Sequence, residues 1–297
     1  MIEISIVIVT YSAEKFIKNC LDSVFAQDLN NFEVIIIDNN SGDNTINILK
    51  KYLSKIILIE NKKNEGFCFA TNQGILLAKG KYIFTLNSDV YLSKDYVLNL
   101  KNFLERNLEA GMAGGKLLRM DKITIDTIGL KLGVFYRFLN IAESEKDTGK
   151  YKVPLEIMGP CAAAALYKRE LLESIRYKDE FFDNQFFFLA DDFDIAWRAQ
   201  RIGCKGFYVP NAVCWHYRDS SGHKSQFKQY LSFRNRYYLL IKNAGFKTVF
   251  LFALGFLFYD FPRLVFLLIT NTKYTAKAIA EIFMNMPEIL SKRVKKI

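Results

Sequence analysis

Apolar residues in the first third of the chain occur in two alternating patterns. Four continuous apolar runs, of the kind found in strands buried on both faces, are SIVIVT, EVIIID, KIILIE and YIFTL. The segments between them carry apolar residues at helical spacing, as in FIKNCLDSVF. Because strands that alternate with helices form parallel sheets through right-handed crossovers, this pattern predicts an α/β fold. We expect a doubly wound, mostly parallel sheet with helices on both faces.

The predicted strands end in polar residues. Their carboxyl ends are Thr10-Tyr11, Asp38-Asn39-Asn40, Glu60-Asn61 and Asn87-Ser88-Asp89. In open α/β sheets, ligands bind in the crevice beyond the carboxyl ends of the strands. We therefore expect these side chains, although far apart in number, to meet at one edge of a nucleotide-binding sheet.

The second half of the chain is less regular. Residues 121–155 are mixed and polar and are expected to form an excursion, whereas GFYVPNAVCWHYRDSSG predicts two short strands, the second ending at His216. The pattern divides the chain into a domain at 1–240, with halves 1–118 and 119–240, and a helical extension at 241–297.

Two strongly apolar segments, residues 248–259 and 264–269, lie in that extension. Asp260, Pro262 and Arg263 interrupt them, and neither segment approaches the roughly 20 apolar residues that a spanning helix needs. Together with the flanking lysines, this predicts two segments that lie in or on a bilayer interface. A buried core helix or a dimer face would produce the same pattern.

The net charge bears on the kind of binding partner, and the cysteine content bears on the redox state of the compartment. The 41 basic and 31 acidic residues give a net charge of +10, which favours an anionic partner or simply supports solubility. Nucleic acid is not expected as a partner, because no basic-aromatic reader motif accompanies the charge. The five cysteines include no C-x-x-C pair, so we expect neither a disulfide framework nor a zinc site, and a reducing compartment.

Two of the strand-end carboxylates are candidate ligands. Asp89 is a hard oxygen donor suited to Mg²⁺ or Mn²⁺, which binds few carboxylates and completes its shell with water and phosphate oxygens. Asp38 could accept a hydrogen bond from a nucleobase N–H. Each also has a structural explanation: Asp89 as a helix cap and Asp38 as the first residue of an Asx-turn.

A second group of candidates follows an aromatic run. Asp191, Asp192 and Asp194 begin a predicted helix, and three carboxylates exceed what the helix dipole requires. Their repulsion would raise at least one pKa, which suits a general base, although Asp194 could instead bind the backbone or Arg198. His216 could be a metal ligand or a hydrogen-bonded structural histidine.

Taken in order, these stretches resemble glycosyltransferase family two, the inverting enzymes of GT-A fold, and most closely its rhamnosyltransferase-like branch. The matching segments, which span roughly residues 3–240, are SIVIVTYSAEKFIKNCLDSVFAQ, FEVIIIDNNSGDNT, NKKNEGFCFATNQGI, YIFTLNSD, GPCAAAALYKRE, FFLADDFDIAWRAQRIGCKGFYVP and VCWHYRDSSG. Each motif alone has limited specificity, whereas their ordered combination is specific.

The resemblance implies a role for each matching position. The residues implied to bind the nucleotide sugar are Thr10, Tyr11, Asp38, Asn64, Gly66, Asn72, Asn87 and Ser88. Asp89 takes the place of the metal-binding acid of the family's D-x-D, and His216 that of a histidine near the metal and diphosphate. Asp192 matches the catalytic base, preceded by Asp191.

Two positions depart from the family pattern. Asn87 replaces the first acid of D-x-D, and Asp191 is one methylene shorter than the glutamate of the family's E-D pair. The first change leaves less negative charge around the metal. The second puts the role of Asp191 in doubt, while Asp192 keeps its match.

The implied activity is divalent-cation-dependent, inverting transfer of a sugar from a UDP-, dTDP- or GDP-sugar to an acceptor hydroxyl. The implied acceptor is a lipid-diphosphate-linked or surface-polysaccharide glycan, which would place the protein peripherally on the cytoplasmic face of the membrane. The alternative is a membrane-bound nucleotide-sugar-binding module without turnover. A nicotinamide-dependent oxidoreductase is disfavoured, because TYSAEKF lacks the glycines of G-x-G-x-x-G.

Overall fold

A computed structural model describes residues 2–218, 224–245, 253 and 255–294. In these residues the core is a ten-stranded mixed sheet with helices on both faces. Eight strands form its continuous path, in the order β10-β12-β6-β11-β4-β1-β2-β3. The strands of the first half are β1 (Ile4–Thr10), β2 (Phe32–Asp38), β3 (Ile57–Glu60), β4 (Tyr82–Asn87) and β5 (Val90–Leu92). β6 (Ala110–Arg119) ends at the boundary between the two halves, and the later strands are β7 (Ile125–Thr127), β8 (Leu130–Leu132), β9 (Phe138–Asn140), β10 (Leu155–Ile157), β11 (Ala164–Lys168) and β12 (Lys205–His216).

The first half has the predicted parallel arrangement. β1 pairs in parallel with β2 and with β4, and β2 pairs in parallel with β3. In this register Thr10 lies beside Asp38, and Asp38 beside Glu60, so the polar strand ends are adjacent. The chain moves outward from β1 through β2 to β3 and then returns to the other side of β1 as β4. The crevice above β1 and β4 is therefore a topological switch point, where ligands bind in such sheets.

The second half corrects the expectation of a mostly parallel sheet. β11 runs antiparallel to both β4 and β6, and β12 runs antiparallel to β5 and β10. β6 and β12 form the remaining parallel pair of the continuous path. β5, β10 and β11 therefore all run opposite to β6 and β12, and antiparallel neighbours of this kind need no long crossover.

The helices cover the sheet on both faces. The first half contains α1 (Ile17–Phe25), α2 (Thr45–Lys50), α3 (Phe67–Leu77) and α4 (Tyr96–Arg106). The second half contains α5 (Arg169–Ile175), α6 (Asp191–Arg201), α7 (Ser225–Asn243), α8 (Phe261–Thr270) and α9 (Thr272–Ser291), with short 3₁₀ turns at Val134–Tyr136 and Asn184–Phe186. Two large apolar clusters lie on opposite faces, one containing Val7 and Ile35, the other Ile6 and Ile36. This alternation along each strand is the signature of a sheet buried on both sides.

Two local predictions in the second half need adjustment. The segment predicted as two short strands is one strand, β12, with a register irregularity between Tyr208 and Val213. The polar excursion is not devoid of structure, since β8 and β9 form a separate two-stranded antiparallel hairpin there. His216 ends β12 as expected.

The C-terminal helices pack on the body of the domain through α7. Ala278, Ile282 and Ile289 of α9 belong to the same apolar cluster as Leu239 of α7. Residues 246–252 and 254, which carry much of the first apolar segment, lie outside the described residues. Among the described helices, none has the length and apolar character needed to cross a membrane.

Candidate active site

A cleft of about 370 Å³ opens at the carboxyl ends of β1 and β4. Nine of the twelve residues predicted for the site line it: Tyr11, Asn64, Gly66, Asn87, Ser88, Asp89, Asp191, Asp192 and His216. Asn39, Asn140 and Cys161 add polar groups to the wall, and Phe16, Phe67 and Phe188 add aromatic ones. The sheet therefore brings residues from 11 to 216 into one pocket.

Thr10 and Asp38 lie beneath the cleft and do not line it. The Thr10 hydroxyl donates to Oδ1 of Asp38 at 2.8 Å, and the Ser41 hydroxyl donates to the same oxygen at 2.5 Å. The backbone N–H of Ser41 donates to Oδ2 at 2.8 Å. Asp38 is 1% exposed, so the turn explanation describes this carboxylate, which organises the chain after β2.

Asn72 is buried in α3, away from the cleft. Its side-chain N–H donates to the carbonyl of Phe182 at 2.6 Å and to Asn184, while its oxygen accepts from the backbone N–H groups of Phe181 and Phe182. In this arrangement Asn72 fixes the segment that leads to the carboxylate cluster. A direct contact with a nucleotide sugar is not available to a side chain so engaged.

The fold places Asp89 beside His216 by pairing β5 with β12. Val90 is the register partner of His216, and the backbone N–H of Tyr217 donates to the carbonyl of Asp89 at 3.1 Å. His216 Nε2 lies 3.4 Å from Oδ2 of Asp89. This convergence of two residues far apart in the chain was predicted from the sequence.

A third residue of this group, Asp126 of β7, escaped the sequence analysis. Its Oδ2 lies 2.8 Å from Nδ1 of His216, and its other oxygen lies 2.9 Å from Nη1 of Arg218. Asp126 belongs to the polar excursion, where no pattern marks one carboxylate among several. Its position fixes the imidazole ring so that Nε2 faces Asp89.

The charge state of His216 follows from these neighbours. Burial lowers the pKa of His216, but hydrogen bonds to the carboxylates of Asp126 and Asp89 outweigh it and raise the pKa to about 9. The imidazole therefore carries a proton between two carboxylates at neutral pH. His216 must lose this proton before Nε2 can coordinate a metal ion.

Asp89 and His216 form a small donor set that suits a cation shared with phosphate. Within the described parts of the chain, no three His, Cys, Asp or Glu side chains form a metal-binding group. Mg²⁺ typically binds one or two protein carboxylates and takes its other ligands from water and substrate phosphates. The donors present are thus compatible with a divalent ion that binds together with a nucleotide.

The carboxylates at the start of α6 have different environments. Burial raises the pKa of Asp192 to about 6, although the backbone N–H groups of Phe193 and Ala162 donate to it. Burial, together with the charge of Asp192, raises the pKa of Asp191. Both line the cleft, and a carboxyl group whose pKa lies near neutrality has the property that general-base catalysis requires.

Asp194 has a structural role. It is fully buried, 2.9 Å from both Nε of Arg198 and Nζ of Lys242. Burial raises its pKa, but the charges of these two cations hold it below its ordinary value. Lys242 and Lys292 also bind Asp183, each at 2.8 Å. We call this group, Asp183, Asp194, Arg198, Lys242 and Lys292, the buried ionic cluster; it joins α6, α7 and the end of α9.

The backbone just before the carboxylates is strained. Phe187 has φ 65° and ψ −65°, and Leu189 and Ala190 have φ of 69° and 66°. Each such conformation costs a non-glycine residue about 1–2 kcal/mol. Gly66, with φ 89°, packs so closely that a Cβ on it would lie 2.4 Å from the Phe187 ring. Nothing in the sequence of this aromatic run indicated the strain.

The sheet order and the switch-point cleft are those of an α/β protein of the GT-A type. A family-wide sequence profile, that of Glycosyl transferase family 2, matches residues 5–176, more than half of the chain. The chain belongs to this family and is a glycosyltransferase.

Among curated relatives, the chain is 27% identical over 270 residues to a Methanococcus voltae protein, covering 86% of this chain and 79% of the relative. That protein is named Dolichyl N-acetyl-alpha-D-glucosaminyl phosphate 3-beta-D-2,3-diacetamido-2,3-dideoxy-beta-D-glucuronosyltransferase. Several other relatives are matched over only 11% to 64% of their own length.

Solved structures share the fold. S. aureus TarS 1-349 in complex with UDP-GlcNAc aligns with a TM-score of 0.59 at 19% identity, over 99% of this chain and 84% of that one. A mannosyltransferase from Pyrobaculum calidifontis in complex with GDP-Man and Mn²⁺ aligns with a TM-score of 0.56 at 16% identity, over 98% and 72%.

Proposed function

We propose that the protein is a divalent-cation-dependent, inverting glycosyltransferase that moves a sugar from a nucleoside-diphosphate sugar to an acceptor hydroxyl. The observation that carries the proposal is the presence of Asp89, His216 and Asp192 in one cleft. The first two form an acidic-imidazole pair suited to a cation and diphosphate. The third is a half-buried carboxyl whose raised pKa suits proton removal.

The donor would occupy the side of the cleft built from β1, β2 and the start of α3. Tyr11, Asn39, Asn64 and Gly66 line that side. The Asn39 amide donates to the carbonyl of Gly66 at 3.0 Å, so the wall is fixed before a ligand arrives. The diphosphate would then lie near Asp89, where a bound Mg²⁺ or Mn²⁺ supplies neutralisation of the charge on the leaving group.

Proton transfer is assigned to Asp192. The carboxylate takes the proton of the acceptor hydroxyl as that oxygen attacks the anomeric carbon from the face opposite the diphosphate. The C–O bond to the diphosphate breaks as the new C–O bond forms, and the configuration inverts. General-base assistance of this kind contributes about 10²–10⁴-fold to the rate.

The test is a binding screen followed by a transfer assay. Thermal unfolding is measured with UDP-, dTDP- and GDP-sugars, with and without Mn²⁺, and the stabilising donor is used for turnover with lipid-linked and free glycan acceptors. Asp192→Asn should keep cation-dependent donor binding and lose about 100-fold or more in turnover. Asp89→Ala should weaken the binding itself.

An exposed aspartate, Asp95, supplies the control, because Asp95→Asn should change neither property. Equal loss of binding and turnover in Asp192→Asn would contradict the assignment of the base. Donor binding by the wild type without transfer to any acceptor would support the alternative of a binding module.

We further propose that the acceptor is lipid-linked and that the protein docks on an anionic membrane surface. An apolar stripe runs along the π-turn Phe256–Asp260 and α8 at intervals of four residues, through Leu257, Phe261, Val265 and Ile269. Phe258, 76% exposed, and Phe266 widen it. Such a stripe on a short helix is suited to lie in a bilayer interface. The name of the Methanococcus relative, a transferase acting on a dolichyl phosphate derivative, supports a lipid-linked acceptor.

Co-sedimentation with vesicles tests the docking. The wild type should bind vesicles containing anionic lipid, and the double variant Phe258→Glu, Phe266→Glu should lose binding. Leu108→Glu changes a residue that is 89% exposed on the loop before β6 and should leave binding intact. Absence of vesicle binding, with a dimer in light scattering that dissociates in the double variant, would show that the stripe is a subunit interface.

A further inference from the structure

The segment 185–190 connects the 3₁₀ turn Asn184–Phe186 to the carboxylates at the start of α6. The backbone N–H of Phe188 donates to the carbonyl of Phe186 at 2.8 Å, closing a tight turn around Phe187. Phe187, Phe188, Leu189 and Ala190 all line the cleft. The segment is therefore both a wall of the site and the direct support of Asp191 and Asp192.

Asn235 of α7 holds this segment from behind. The residue is fully buried, and its side-chain Nδ2 lies 2.9 Å from the carbonyl oxygen of Phe186, 2.9 Å from that of Phe188 and 2.8 Å from that of Leu189. These three carbonyls, within four residues of chain, face one amide group in a segment where Phe187 and Leu189 have positive φ.

The neighbouring Arg234 donates further hydrogen bonds to the same segment. Its Nη2 donates to the carbonyls of Gln185 at 2.7 Å and Phe186 at 3.2 Å, and its Nε donates to Oδ1 of Asn235 at 3.1 Å. The oxygen of Asn235 is thus held as well, so the amide has a fixed orientation. The amide N–H groups of Asn235 are thus directed at one segment of backbone, and its oxygen accepts from Arg234.

We propose that Asn235 is a positioning residue for the catalytic base: it holds segment 185–190 in its strained conformation and thereby sets the place of Asp192. This inference rests on the proposed function. Leucine of similar volume would fill the space but would remove both N–H donors that Asn235 directs at the carbonyls of this segment. Asn235 does not line the cleft and is not among the residues proposed to bind the substrates. Its expected effect is therefore on the placement of Asp192.

The experiment compares Asn235→Ala with Leu239→Ala. Leu239 lies one turn further along α7 and belongs to the apolar cluster that also contains Phe186. Leu239 makes a matched control because it is also fully buried. Asn235→Ala should lower kcat by about 100-fold, the scale of a misplacement near 1 Å, while the KM for the donor changes less than about threefold. Leu239→Ala should lose comparable thermal stability with kcat nearly unchanged.

Hydrogen exchange gives a readout that does not depend on turnover. Amides of residues 186–192 should exchange faster in Asn235→Ala than in Leu239→Ala when the two are compared at equal distance below their unfolding temperatures. Asn235→Asp keeps the shape and removes the donors, so it should reproduce both effects if the alanine variant does not fold. Exchange and kcat that match those of Leu239→Ala would overturn the proposal.

The two proposals fail separately. If residues 186–192 of the Asn235 variants lose protection but the wild type transfers no sugar, Asn235 still holds the segment and the proposed glycosyltransferase mechanism is wrong. If the wild type is active and the Asn235 variants keep full kcat and full protection, the positioning role of Asn235 is wrong and the proposed mechanism stands.

Discussion

Turnover should fall steeply as the pH drops through about 6, because Asp192, the proposed base, can accept a proton only when ionised. Burial places its pKa at about 6, against an ordinary value of 3.8. The gap corresponds to about 3 kcal/mol of disfavoured ionisation, the net of burial, which raises the pKa, and hydrogen bonds to the carboxylate, which lower it. Activity is present above this pKa and is lost below it.

The size of the fall in kcat distinguishes a base with a raised pKa from a carboxylate with the ordinary pKa of 3.8. With a pKa of about 6, about one-tenth of the Asp192 population is ionised at pH 5, so kcat should fall to about a tenth of its plateau. With the ordinary value, more than about nine-tenths would still be ionised at pH 5.

The assay is kcat at saturating donor and Mn²⁺ between pH 5 and pH 8, with donor binding measured by calorimetry at each pH. The binding measurement is needed because a proton on His216 competes with the cation for Nε2, so donor binding can also depend on pH. A kcat that stays flat to pH 5 at full donor occupancy would refute the assignment of a buried base. So would an Asp192→Asn variant with wild-type turnover.

Three further predictions concern Asp126, Gly66 and Lys292. Asp126→Asn should weaken Mn²⁺-dependent UDP binding by about 10–100-fold in calorimetry, since it loosens His216; unchanged binding would contradict the role of Asp126 as the orienting carboxylate. Gly66→Ala should lower the unfolding temperature and displace the Phe187 wall, costing about 1–3 kcal/mol, and a variant as stable as wild type would be inconsistent with the positive φ. Lys292→Met should lower the free energy of unfolding in urea by about 3–5 kcal/mol, because it strips a cation from the buried ionic cluster; a loss below 1 kcal/mol would show that the cluster is solvated.

The parallel half of the sheet and the location of the site could be predicted from the sequence. The reason is local: each apolar run and the polar residues that end it are contiguous, so the pattern of β1, β2 and β4 carries its own information. Asp89, Asp192 and His216 were predicted to share a pocket, and they line the same cleft.

Residues whose role depends on distant partners could not be found in this way. Asp126 gains its meaning from His216, 90 positions away, and Asn235 from the carbonyls of a segment 46 to 49 positions away. Asp38 was a candidate from its place at a strand end, and its oxygens accept hydrogen bonds from Thr10 and Ser41, contacts that the sequence pattern does not show. Strand direction in the second half depends on such long-range pairing as well.

The order of strands has a consequence for how donor preference can change in this protein. β11 inserts between β4 and β6, and β12 lies between β6 and β10 while also pairing with β5. The halves before and after residue 118 are thus interleaved, and a hybrid spliced there would separate hydrogen-bonded neighbours. New specificity is accessible through substitutions in the loops that rim the cleft, and module exchange between homologues is a poor route to it.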